Sequence, residues 1–114
     1  MGTTATFLKQ RSSVTPRTGE WNINFQKARE LAKNNGKFLI ACWSNGDICG
    51  NCTISEKCMM EKSFVNWMKR SDAYFVFQCS DDANGGQEVY DWIYNDPSMC
   101  LYPGFRISYF NKDT

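Results

Sequence analysis

Cys49-Gly50-Asn51-Cys52 sets two cysteines three positions apart in the stretch GDICGNCTISEKC, which ends on a third, Cys58, in a chain without histidine. Thiols in this pattern can exchange disulfides, hold a metal, or lock the chain as a static staple. A closed structural zinc site takes four nitrogen or sulfur ligands. Here there is no second close pair, and Cys58 falls about 180° round a helix from Cys49, so no metal site is expected. Exchange chemistry fits the pattern better. The pair follows an apolar run and opens a helical segment, which sets both sulfurs on the first turn, close enough to close a small ring. The free N–H groups and positive dipole end of a helix start stabilise a thiolate. A cysteine placed there drops below the free-thiol pKa of about 8.5 and attacks a disulfide, and its neighbour resolves the mixed disulfide. Cys49, nearer the helix mouth, is the expected nucleophile and Cys52 the resolving thiol. A static disulfide, or two inert thiols, remains the alternative on these residues alone.

Several elements must position the pair. Phe25, Ala28, Leu31 and Ala32 fall at helical spacing, Asn22 or Asn24 can cap the start, and Asn34-Asn35-Gly36 supplies a stop. KFLIACW, residues 37–43, is an apolar run of strand length, suited to burial on both faces. After the turn residues SNGD, the pattern predicts one long helix from the cysteine pair to about Arg70. Ile54, Cys58, Phe64, Val65 and Met68 share an apolar stripe on it, and Glu61 falls inside that stripe without an explanation. AYFVFQC (73–79) reads as a second buried strand, residues 87–94 as a short helix, and FRISYF (105–110) as a third strand. Helix and strand alternating three times imply crossover connections and a partly parallel sheet, an α/β sandwich. Cys42, Cys58 and Cys79 are expected in the core; Cys100, three residues before Pro103, is expected to pack its loop.

Bulk properties set the frame. The 114 residues allow one domain, with 42% hydrophobic and 22% charged residues. Thirteen basic against twelve acidic residues give a net charge of +1, without the concentrated basic face of a nucleic-acid binder. No apolar run approaches the roughly 18 residues that span a bilayer, and the start MGTTATFLKQRSS lacks a secretory apolar stretch. A cytoplasmic, reducing setting follows as the expectation, where close cysteine pairs are more often catalytic or metal-binding than structural. Residues 1–19, rich in Thr, Ser and Arg, read as a flexible or partner-docking arm, and 20–114 as the folded domain.

With W…F…A…A…GK leading into a hydrophobic strand, then C-x-x-C, then a long helix, the chain resembles the thioredoxin-like group over about Trp21 to Phe110. The resemblance implies a three-layer α/β/α sandwich with a mixed central sheet. It also implies a thiol–disulfide oxidoreductase acting on protein disulfides, with no cofactor beyond the dithiol and an external reductant or oxidant. That family carries a cis-proline before its third core strand, packed against the C-x-x-C. Pro103 in LYPGFRISYF stands at that place, and Tyr102 would offer its backbone to an extended substrate. Trp43 and Tyr102 would form an apolar rim.

Three features depart from the family pattern. Ile48 replaces the usual Trp before the first cysteine. FLIACW lacks the buried acid of the first core strand, with Asp47 as the nearest substitute. The sequence given stops at the turn after the third strand, where the family usually adds a strand and a helix. Either the chain is a fragment, or another chain completes the sheet, or the fold is a shortened variant with an exposed edge. A neighbouring chain covering that edge is therefore among the expected partners. The last two departures favour the second functional reading, a thioredoxin-like structural or interaction module of a larger assembly with little redox turnover.

Overall fold

A computed structural model describes residues 15–46, 49–95 and 101–110. Residues 1–14 of the expected arm, Asp47, Ile48, Cys100 and the final turn lie outside the described residues. The elements are β1 (Trp21–Asn22), α1 (Phe25–Asn35), β2 (Phe38–Ser44), α2 (Gly50–Met59), α3 (Lys62–Arg70), β3 (Ala73–Cys79), α4 (Gln87–Ile93) and β4 (Gly104–Tyr109), with a 3-10 turn at Ala83–Gly86. The four strands form one mixed sheet in the order β1-β3-β2-β4. β3 runs parallel to both β1 and β2, whereas β4 returns antiparallel to β2, with Trp43 opposite Gly104 and Phe38 opposite Tyr109.

Helices cover both faces of the sheet, and strand alternation distributes the core between them. On one face Leu39, Ala41 and Trp43 of β2 pack with Tyr74 and Val76 of β3 against α1 and α4. On the other, Cys42, Phe75 and Phe77 pack with Trp21 against Met59 of α2 and Met68 of α3. Every residue of β3 is buried, the polar Gln78 among them. The architecture is thus the α/β sandwich with a mixed central sheet that the alternation of elements implies.

α1 is bounded by local chemistry. Asn24 caps it by accepting from the Lys27 N–H, and Gly36 closes it in the left-handed region (φ 65°), donating its N–H to the Ala32 carbonyl. The chain before it is tied down by Asn22, which is fully buried. The Asn22 side chain donates to the carbonyls of Arg17, Glu20 and Phe75 and accepts from the Arg17 N–H, at 2.9–3.1 Å. Within the segment read as an arm, Thr18 bridges to Tyr74, and the Gly19 N–H donates to the Ala73 carbonyl at 3.0 Å.

The helix after the cysteine pair is not continuous, which corrects the reading of one long helix. It breaks at Met60 and Glu61, where Glu61 takes an extended backbone (φ −67°, ψ 148°) and starts α3. The physical reason lies in the rotation. Met59 and Met68 both face the sheet with 3% exposure. Nine residues apart, they would point in opposite directions on an unbroken helix, since nine steps of about 100° leave a half-turn. The break resets the phase. The predicted stripe fails with it: Ile54 is 62% exposed and Cys58 is exposed, while Cys52, Glu56 and Met59 are the residues of α2 that turn inward. Glu61, outside any helix interior, is exposed.

Candidate active site

β2 delivers the chain to the site. Its last residue, Ser44, accepts the Gly46 N–H on Oγ at 3.1 Å, and the Cys49 N–H returns to the Gly46 carbonyl at 3.2 Å. This closes the approach loop over a short span and starts α2 beside the end of the sheet. Cys49 is the N-cap residue, and its own sulfur accepts the Cys52 N–H at 3.2 Å. The sulfur thus occupies the place where Ser, Asp or Asn oxygen usually satisfies an orphan donor of the first turn. The Asn45 N–H donates to Cys52 Sγ at 3.4 Å. Each sulfur of the pair therefore faces a backbone donor.

Cys49 and Cys52 are joined as a disulfide, with their Cα atoms 5.1 Å apart. This lies inside the range that accepts the bond. The two sulfurs are not equivalent: Cys49 is partly exposed at the helix mouth, whereas Cys52 is fully buried beneath it. Gly50 has open space where a side chain would stand, leaving the approach to Cys49 uncrowded.

Across from the helix mouth comes the segment before β4. The Tyr102–Pro103 peptide is cis, and the Tyr102 carbonyl oxygen lies 3.9 Å from Cys49 Sγ. Cys49, Cys52, Tyr102 and Pro103 are therefore brought together, although 53 residues separate Cys49 from Tyr102. Trp43 is placed differently. It is 6% exposed and sits behind Tyr102, ring centroids 5.1 Å apart, with its indole N–H donating to the Gly85 carbonyl at 3.0 Å. Its ring supports Tyr102 and presents little surface of its own.

Tyr90 and Tyr94 complete this aromatic support. Tyr94 donates its hydroxyl to the Leu101 carbonyl at 3.0 Å, tying α4 to the loop that carries Tyr102. Burial, followed by the neighbouring Tyr102, Cys42 and Tyr90, pushes the Tyr94 hydroxyl well above the usual phenol range. Gly104 allows the close approach: a Cβ there would lie 2.6 Å from Tyr94 Cζ, so only glycine fits between β4 and that ring.

Below the pair the sheet carries two further buried thiols, Cys42 on β2 and Cys79 on β3. Burial pushes the Cys42 thiol well above its ordinary range, and the charges of Glu56 and Cys79 add to the effect. Glu56 was missed by sequence reasoning. It is 1% exposed and shares the inward face of α2 with Cys52. The signal was available as the spacing Cys52, Glu56, Met59, which repeats on a single helical face once Cys52 is taken to face the sheet.

Among the described residues, no group of three or more Cys, Asp or Glu is arranged to hold a metal ion, and no helix is long and apolar enough to cross a membrane. No family model, curated protein or solved structure matches the chain.

Proposed function

We propose that the chain is a thiol–disulfide oxidoreductase of thioredoxin-like architecture, acting on protein disulfides through Cys49 and Cys52. The observation that carries this reading is the asymmetry of the pair. Cys49 caps a ten-residue helix with its own sulfur and is open to solvent, while Cys52 is fully buried one turn on. A thiolate at Cys49 gains the Cys52 N–H and the positive end of the helix, which is what a nucleophilic thiol needs. Cys49 attacks a sulfur of the substrate disulfide, expelling one substrate thiolate and leaving a mixed disulfide. Cys52 then attacks Cys49 Sγ, the second substrate thiolate leaves, and the ring closes. The substrate gains two electrons, and an external dithiol must restore them to the chain. An extended substrate strand would pair with the backbone of Tyr102 beside Pro103, with Trp43 backing the Tyr102 ring. The setting proposed is the reducing cytoplasm, without a further cofactor.

One observation favours a second reading, an interaction module with little redox turnover. β4 forms an edge of the sheet and leaves Phe105, Ile107 and Tyr109 exposed. Reduction of an insulin-type disulfide by dithiol-recycled protein separates the two. Turnover by the natural sequence, abolished in Cys49→Ser, is expected; no turnover above the dithiol background would overturn the enzymatic reading in favour of the module.

A further inference from the structure

Cys52 must lose a proton before it can attack, and it is closed off from the water that would take it. Glu56 stands one helical turn along on the same inward face, 1% exposed. Residues four apart on a helix are neighbours on one face, which sets Glu56 next to Cys52. We propose that Glu56 is the internal base that receives the Cys52 proton when the mixed disulfide is resolved, an inference that rests on the oxidoreductase reading above.

A carboxylate costs several kcal/mol to remove from water, and position 56 has no packing need for one. Met59, one turn further on the same face, fills its place with an apolar side chain. The surroundings suit proton transfer. On the sheet side, Cys42 of β2 feels the charges of Glu56 and of Cys79 from β3, and stays protonated, so it does not compete as an acceptor. The charged residues of α3, namely Lys62, Lys69 and Arg70, are exposed, as is Lys57 on α2 itself. In the resolving step the Cys52 S–H proton passes to the Glu56 carboxylate. The Cys52 thiolate forms the bond to Cys49 Sγ, the bond from Cys49 to the substrate sulfur breaks, and the departing thiolate carries the electron pair away. Protonated Glu56 then returns its proton to that thiolate or to entering water.

An aromatic disulfide that releases a coloured thiolate reads both steps in one experiment, in the full chain carrying Cys58→Ser and Cys100→Ser. The first release reports Cys49 attack and depends on reagent concentration; the second reports Cys52 and does not. Glu56→Gln, which keeps shape and removes the base, should leave the first phase unchanged and slow the second on the order of 10²-fold, the usual worth of a positioned base. Glu56→Asp should recover part of that loss. An unchanged second phase in Glu56→Gln would overturn the role of Glu56 alone. Absence of the first phase in that chain with Glu56 intact would overturn the oxidoreductase reading and this inference together.

Discussion

Cys49 Sγ and the Tyr102 carbonyl oxygen face each other at 3.9 Å, one from the mouth of α2 and the other from the loop before β4. In the proposed reaction, a substrate strand pairing with the Tyr102 backbone would be held alongside Cys49 Sγ. This juxtaposition adds to the motif a backbone carbonyl fixed beside the partly exposed sulfur.

The first prediction follows from that asymmetry. In the reduced protein, iodoacetamide at neutral pH should label Cys49 before Cys52, because Cys52 is fully buried. Cys52→Ser should accumulate a mixed disulfide with a protein substrate, and Cys49→Ser should form none. Peptide mapping by mass spectrometry reads both outcomes. Earlier labelling of Cys52, or a trapped adduct on any other cysteine, would reverse the assigned roles.

Asn22 offers a stability test remote from the chemistry. Its amide satisfies three carbonyls and one N–H between the chain entry and β3, and it is fully buried. Asn22→Ala leaves those backbone groups without that partner, at about 1–3 kcal/mol for a buried polar group deprived of its bond. Urea unfolding should show a loss of at least about 2 kcal/mol, while Cys49 labelling in the folded population stays at its natural rate. A loss within about 0.5 kcal/mol, typical of an unimportant surface change, would mean that the entry segment does not depend on this staple.

Much of this arrangement was legible before any coordinates. The apolar runs at 37–43 and 73–79 announced the buried strands found at 38–44 and 73–79, and the spacing of Phe25, Ala28 and Ala32 announced α1, because a continuous or periodic apolar pattern has few ways to be buried. The cysteine pair at a helix start was legible for the same reason. The phase of α2 was not. Ile54 and Cys58 lined up with Phe64 only if the helix ran unbroken, and nothing local between Met59 and Lys62 marks a stop. The rotation is fixed instead by long-range packing, with Met59 and Met68 both drawn to the sheet. That error hid Glu56 by assigning the inward face to the wrong residues. The two-residue strand β1 was equally hidden, since its pairing with Phe75 and Val76 leaves no local signature.

Cys42 predicts a pH dependence. Its thiol is pushed well above the ordinary range, first by burial and then by Glu56 and Cys79. In the unfolded chain it ionises near its ordinary value of about 8.5, while in the folded chain it stays protonated. Above that pH the unfolded state binds fewer protons, so stability falls as pH rises, up to about 1.4 kcal/mol per unit for this thiol, and the fall ends at the folded value. Below about pH 8 the same group contributes no slope. Urea titrations between about pH 8 and 10 should show the decline, reduced by about one proton in Cys42→Ala. An equal slope in the variant would place the titration elsewhere.

The last prediction concerns the sheet edge. β4 pairs with β2 on one side and ends the strand order on the other. Ile107 is 62% and Tyr109 58% exposed, and with Phe38, Trp67 and Ile40 they line a groove of about 520 Å³. Arg106, the charge that might guard this edge, is turned away: it donates to the Trp92 carbonyl at 2.6 Å and lies over the Trp92 ring. An edge strand with apolar outward residues and no outward charge invites pairing with another strand. The protein should therefore self-associate as its concentration rises, with slowed amide exchange along 104–109. Ile107→Lys adds the missing charge at an exposed position, so unfolding stability should change by no more than about 0.5 kcal/mol while light scattering returns to the monomer value. The two measurements separate the causes. Scattering that persists in Ile107→Lys would locate the contact elsewhere, and a monodisperse natural sequence with fast exchange along β4 would show that this edge tolerates solvent unaided.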